Sequence, residues 1–363
     1  MGAFSPFGVD LFGEPVTVPN RSPLAARFEF PPFSVLDARS GEWQERKRAW
    51  LALGIRGELG RGIVNLNMAH PETTSTLDFY AQKRGLEKER GRDLSKDEAA
   101  EIMAALGTLK NARAANHASP GGSARPACDY RNGQRGDGAG RPGDDDTSGT
   151  SVFDPVLSEL IARWFCPPGG QIVDPFAGGS VRGIVAALLG FRYWGCDLRP
   201  EQIAANEAQR AAICPDEAGR IVWTCGDARD VLGSAPLADL VFTCPPYGDL
   251  ERYSDDPRDL STLAYPDFLV AYRQIIKAAA WRLLSHHFAV LVVGDFRDPR
   301  TGHYRGFVAD TIQAGRDAGL ALYNDAVLVT AVGSLPIRVG KQFEAGRKLG
   351  KTHQNVLVFV KRA

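Results

Sequence analysis

Ile172-Val-Asp-Pro-Phe-Ala-Gly-Gly-Ser180 sets a short β-branched run directly before a proline and a glycine pair, and the apolar stretch 181–189 follows with helical texture. This reads as a strand ending in a tight turn that opens a helix. The alternation continues downstream. Strands are expected at 193–197, 221–225 and 240–244, then 288–293, 326–330 and 355–361. Helices are expected at 200–213, 268–284 and 304–318. Strands alternating with helices of this length imply βαβ units and a mainly parallel sheet covered on both faces. The expectation is an α/β fold with seven strands. The last two strands are separated by a glycine-punctuated loop instead of a helix, so an antiparallel edge hairpin is expected there.

The remaining chain differs in texture. Residues 1–115 read as an N-terminal accessory region, rich in Pro, Phe and Gly at first and basic and aromatic at Trp43-Gln-Glu-Arg-Lys-Arg-Ala-Trp50. Within it, Ser95-Lys-Asp-Glu98 has the spacing of a helix-capping box. Residues 116–150 are dominated by Gly, Arg, Asp, Pro and Ser and read as a flexible linker, which leaves 151–363 as the main domain.

Totals narrow the class without naming a partner. Lys and Arg number 43, as do Asp and Glu, so any nucleic-acid-binding surface must be local. The six cysteines lack CxxC spacing and read as reduced thiols, with no disulfide frame or zinc site expected. No basic leader with an apolar run opens the chain, and no run reaches about 18 apolar residues. A cytoplasmic protein with no metal and no membrane partner is expected.

Three strand ends carry the first constellation. Asp174, Phe176, Gly178, Gly179 and Ser180 form a turn where backbone can approach a ligand, at the carboxyl ends where doubly wound sheets bind theirs. Asp197 ends the next strand, roughly 20 residues on, where an acid can accept from ribose hydroxyls. Gly226-Asp227 ends the third, where a carboxylate could hold an adenine amino group. The plain alternative for either acid is a helix cap or a surface turn. No GxxxxGK[ST] phosphate loop is present.

The second constellation is Cys244-Pro-Pro-Tyr247. Two prolines cannot donate ladder hydrogen bonds, so they stop the strand and leave carbonyls free to accept from an amino group. Tyr247 offers a ring on which an extruded base could stack.

These motifs resemble those of the S-adenosylmethionine-dependent amino-DNA methyltransferases over 151–363. The turn at 174–180 resembles their cofactor motif, and Cys244-Pro-Pro-Tyr247 resembles their Asp/Asn/Ser-Pro-Pro-Tyr tetrapeptide. Phe153-Asp-Pro155 is similar to the segment that closes the methionine end of their pocket, and His353-Gln-Asn-Val-Leu-Val-Phe-Val-Lys361 to their final strand. Residues 30–61 are similar to methylase-like proteins of phage and prophage genomes.

The resemblance implies a Rossmann-like methyltransferase fold and S-adenosylmethionine as cofactor, held by Phe153, Asp154 and the three strand ends. It also implies double-stranded DNA as partner, with direct methyl transfer to the exocyclic nitrogen of a flipped base. Cys244 and the Pro245 carbonyl would hold the amino group beside Pro246, with Tyr247 stacking the base. Cys244 departs from the pattern, because sulfur is a weak acceptor. Its size is nearest to serine, which favours cytosine N4 over adenine N6.

Alternatives remain at this stage. They are an RNA-base or protein-glutamine acceptor, covalent cytosine C5 methylation through Cys244, and a catalytically retired DNA-binding protein. The interval between the motifs is too short for a target-recognition region, which is expected in the N-terminal third or after Arg297. Arg46 and Arg48 between two tryptophans, and Arg338, Lys341, Arg347 and Lys348 before the last strand, are the expected nucleic-acid contacts.

Overall fold

A computed structural model describes residues 22–56, 153–250, 252–332 and 335–363. The capping box at 95–98 and the linker at 116–150 lie outside the described residues. Eight strands form one sheet: β1 (Val35–Asp37), β2 (Gln171–Asp174), β3 (Arg192–Asp197), β4 (Ile221–Cys225), β5 (Ala238–Thr243), β6 (Leu283–Val293), β7 (Leu320–Val329) and β8 (His353–Lys361). Their order is β1-β7-β8-β6-β5-β2-β3-β4. Only β8 runs against its neighbours. Leaving β1 aside, this is the mainly parallel seven-stranded sheet with an antiparallel edge pair expected from the sequence.

Two features correct that expectation. β7 and β8 are antiparallel, but a helix, α9 (Leu335–Gly346), joins them where a loop was expected. Leu335, Val339 and Phe343 recur every four residues, and an internal glycine such as Gly340 costs a helix only about 1 kcal/mol. The sheet also has an eighth strand. β1 comes from the N-terminal region, pairs parallel with β7 and takes its outer edge, so part of the region read as accessory belongs to the main sheet.

After a short first helix, α1 (Pro23–Phe28), the helices distribute by their apolar faces. On one face lie α2 (Gly41–Leu51), α3 (Pro155–Phe165), α4 (Val181–Leu188) and α5 (Pro200–Ile213). The other face carries α6 (Ala228–Val231), α7 (Tyr265–Arg282) and α8 (Phe307–Asp317). α3 starts where the Asp154 carboxylate accepts from the amides of Val156 and Leu157, with Pro155 at its first position. Most of α3 and nearly all of α4 is buried, with Glu159 and Arg182 as the charged groups enclosed among apolar neighbours.

α2 explains a misreading of the sequence. Trp43, Arg46 and Trp50 recur at helical spacing and share one buried face, so Arg46 is turned inward. Its guanidinium pairs with buried Glu159 of α3 and with Glu29, and the Trp50 indole also donates to Glu159. Arg46 is therefore an internal ion-pair partner and no contact for nucleic acid, whereas Arg48 lies on the exposed face.

Candidate active site

The register of the central strands brings the two sequence constellations together. β2 lies between β3 and β5, all parallel, so their carboxyl ends share one edge. Thr243, the last residue of β5, donates from Oγ1 to Asp174 Oδ1 at 2.6 Å. Cys244-Pro-Pro-Tyr247 thus begins one residue beyond a direct bond to the glycine turn.

Asp174 itself corrects the sequence reading. It is fully buried and also accepts from the Arg182 guanidinium at 2.6 Å, the Tyr193 phenol at 2.8 Å and the Phe176 amide at 3.1 Å. With both oxygens engaged inside the protein, it braces the turn and does not face a ligand. Burial favours a neutral guanidine at Arg182, yet the Asp174 carboxylate outweighs it and raises Arg182 above its ordinary value. Burial and the same carboxylate push the Tyr193 phenol well up, so it remains a donor.

Arg182 was not singled out in the sequence, where it sits in an apolar helical run. It also donates to the carbonyls of Phe176 at 2.7 Å and Ala177 at 3.0 Å, fixing the turn from below. Asn206 was likewise missed. Its amide donates to the Gly178 carbonyl at 2.7 Å, and it belongs to a buried polar stripe with Gln202 and Gln209 along α5. Polar side chains at i, i+4 and i+7 of a helix were the available signal.

Between these braces Gly178 takes φ +52°, a conformation that suits glycine. Gly179 and Ser180 follow, both buried, and the Ser180 hydroxyl has no hydrogen-bond partner among the described residues. A buried hydroxyl without a partner beside an accessible backbone turn fits a ligand with polar atoms.

The acids at the next two strand ends differ from each other. Asp197 is half-buried and accepts from the Arg199 amide at 2.9 Å, and its carbonyl accepts from Gly226, tying β3 to β4. Asp227 caps α6 and is gripped by both arms of Arg229, so the helix-cap alternative describes its side chain. Burial acts to raise Asp227, but the Arg229 hydrogen bonds prevail and lower it. The loop after the tetrapeptide reaches this side of the edge, where Arg199 donates to the Tyr253 carbonyl. Among its described residues, Asp255 pairs with Arg252 and Asp256 with Arg258. Glu251 lies outside the described residues, as does the Asp249 side chain.

Around the tetrapeptide, Cys244 is half-buried with its sulfur 3.8 Å from the Tyr247 hydroxyl. Tyr247 is only 7% exposed, and its ring meets Phe296 and Phe307 edge-on at 6.4 and 6.0 Å. It is therefore not the open stacking platform expected. Gly248, at φ +53°, turns the chain directly after it, so the phenol rather than the ring face lies beside Cys244. Gln354 donates to that phenol at 3.2 Å. Because β8 runs antiparallel, its first residues lie on the same edge as the ends of the parallel strands, a placement that the sequence alone did not disclose.

Phe153 is half-buried and packs between Phe242, at 5.7 Å, and the Arg182 guanidinium, at 4.6 Å. α9 also stands on this edge, linking the end of β7 to the start of β8. Lys341 and Arg347 are exposed and Lys348 is half-buried, while the Arg338 side chain lies outside the described residues. Lys351 turns inward and donates to the Asp295 carbonyl at 2.9 Å.

Burial lowers the Lys351 ammonium to about 8, against the opposing pull of the Asp295 carboxylate. The unfolded chain keeps this proton up to about pH 10.4. Between these values only the unfolded state is protonated at this site, so Lys351 makes stability rise with pH from about 8 to about 10. The folded state carries the full penalty below pH 8. Lys351→Met is expected to flatten that rise in urea midpoints measured from pH 7 to 10. An unchanged slope would rule the effect out.

No family model matches the chain. Among solved structures it is similar to TrmN from Thermus thermophilus, at 18% identity over 58% of this chain and 49% of that one, with a TM-score of 0.39. It thus spans about half the length of that protein. It is also similar to a precorrin-6y C5,15-methyltransferase from Geobacter metallireducens, at 14% identity over 58% of this chain and 90% of that one, TM-score 0.38. A third is a TehB-like SAM-dependent methyltransferase from Corynebacterium glutamicum, at 18% identity over 56% and 87%, TM-score 0.36. Among the described residues no helix is long and apolar enough to cross a membrane, and no group of three potential metal ligands gathers.

Proposed function

We propose that the chain is an S-adenosylmethionine-dependent methyltransferase that acts on an exocyclic amino group of a DNA base, with cytosine N4 favoured over adenine N6. The observation that carries this reading is the Thr243–Asp174 bond, because it sets the end of a braced glycine turn beside a Pro-Pro-Tyr strand end. A methyl donor and an acceptor nitrogen can then occupy one edge, and placement of two reactants is the main requirement of an in-line transfer.

Gly178, Gly179, Ser180, Asp197 and the Gly226-Asp227 turn would hold the donor, with Phe153 at its other end; Asp154, expected there too, has both carboxylate oxygens engaged within the protein and supports Phe153 instead. When bound, S-adenosylmethionine supplies a methyl group already made electrophilic by its sulfonium. The protein then has to orient an amino nitrogen and accept its hydrogens. The Pro245 carbonyl, freed from the ladder by the prolines, accepts a hydrogen bond from one of them, and the proton lost as the N–C bond forms and the S–C bond breaks passes to solvent. Tyr247 accepts from Gln354, and its hydroxyl lies 3.8 Å from the Cys244 sulfur at the head of the clamp. Exposed Lys341 on α9 and exposed Arg347 directly after it, with half-buried Lys348, suit contact with phosphates on the same edge, and exposed Arg48 adds a further cation.

The test offers labelled S-adenosylmethionine with duplex DNA, RNA and protein in parallel, and identifies the methylated nucleoside by mass spectrometry. N4-methylcytosine in DNA is the expected product. Label appearing only in RNA or protein would replace the acceptor class, and 5-methylcytosine would replace the chemistry. Cys244→Ser is expected to keep transfer within about tenfold of the wild type, since one clamp hydrogen bond contributes about 1 kcal/mol. Abolished transfer in that variant would point instead to a thiol nucleophile.

A further inference from the structure

The segment 22–56 touches both sides of the glycine turn through two separate chains of contact. On one side, Asp154 divides its carboxylate. Oδ1 caps α3 by accepting from Val156 at 2.9 Å and Leu157 at 3.3 Å, while Oδ2 accepts from the Trp43 indole at 3.3 Å and meets the Lys47 ammonium at 3.2 Å. A helix cap needs only the first oxygen. The second ties the start of α3 to α2, and with it the adjoining Phe153, whose ring covers Arg182. Arg182 in turn holds Asp174 and the carbonyls of Phe176 and Ala177.

On the other side, Gln209 of α5 pairs with both main-chain groups of Arg56, accepting from its amide and donating to its carbonyl. One turn earlier on the same buried stripe, Asn206 grips the Gly178 carbonyl. Between these anchors the segment is fixed along the same face by the Arg46–Glu159 pair and by the Trp164 indole, which donates to the Phe28 carbonyl at 2.9 Å.

Resting on the methyl-donor reading above, we propose that segment 22–56 is a positioning element of the donor site, with Trp43 and Lys47 acting through Asp154 to set Phe153 over Arg182. The alternative is that these contacts only add stability, and the two differ in what they predict. If Trp43 and Lys47 act through Asp154, removing their polar groups while keeping their bulk shifts α3 at its first turn and weakens donor binding. Lys47→Met should then change general stability little, because Lys47 is half-buried, whereas Trp43→Phe leaves a small cavity at a fully buried site beside Phe30 and is read against its own urea midpoint.

The experiment compares Trp43→Phe, Lys47→Met and Lys47→Arg with the full-length wild type, by calorimetric titration with S-adenosylmethionine, steady-state kinetics and amide exchange without ligand. Trp43→Phe and Lys47→Met are each expected to weaken donor binding about fivefold, the effect of one ordinary hydrogen bond on an equilibrium. KM for the donor should rise in step, with kcat at saturation retained, and the Val156 and Leu157 amides should exchange faster. Lys47→Arg should restore wild-type behaviour. Unchanged affinity and exchange, or losses that merely follow a falling urea midpoint, would overturn the proposal. Absence of any binding by the wild type would overturn the donor reading itself and this proposal with it, a result visible before any variant is made.

Discussion

Asp174→Ala is expected to lower unfolding stability by about 3–5 kcal/mol, because it leaves Arg182 charged, buried and without its carboxylate. Two further donors, the Tyr193 phenol and the Thr243 hydroxyl, lose their acceptor in the same step. The urea midpoint reports this directly. Asp174→Asn keeps an acceptor oxygen for one of the partners and should lose less. Donor binding is expected to fall with both, since the carboxylate braces the turn although it does not face the ligand. A Asp174→Ala protein with an unshifted midpoint would show that the buried network is not formed in solution.

The second large effect lies far from the reacting edge. Glu159→Leu removes the fully buried partner of Arg46, leaving it with the more exposed Glu29, and removes the acceptor of the Trp50 indole; Arg46 and Trp50 both lie on α2. Burial acts to raise Glu159, yet its hydrogen bonds and the Arg46 charge hold it below the usual carboxylate range. A loss of about 3–5 kcal/mol is expected for breaking the pair from one side. The double variant Arg46→Met with Glu159→Leu should recover a large part of it, because no charge is then stranded, while the Trp50 donor stays unpaired. A double variant no better than the single one would indicate that the pair is not the source of the loss. Low pH acts in the same direction as Glu159→Leu. The stability that Glu159 contributes is present above its unfolded value, about 4.3, and is lost as pH falls through its lower folded value.

The sequence disclosed the order of strands and helices because periodicity and punctuation are local properties. The turn at 174–180 and the tetrapeptide at 244–247 were visible for the same reason, and the parallel alternation was enough to put them on one edge. What it did not disclose depends on which side chains meet across the fold. Arg182 looked like one charge in an apolar helix until Asp174 stood opposite. Arg46 looked like a surface cation until the spacing of Trp43 and Trp50 proved to be that of a buried face. Tyr247 was read as an open ring because the glycine after it, which turns the chain, carries no sign of where the ring then goes. α9 was hidden by its own glycines, whose modest cost the surrounding contacts absorb.

The three-residue strand β1 has a consequence for solubility. β7 would otherwise end the sheet with a long row of unpaired amides and carbonyls, the kind of rim on which other chains assemble. β1 covers part of that rim and ends in Asp37, which is bridged to Arg39 at 2.8 Å and charged toward water. A version of the chain begun after residue 56 would bare that rim, and self-association would follow alongside any change in chemistry.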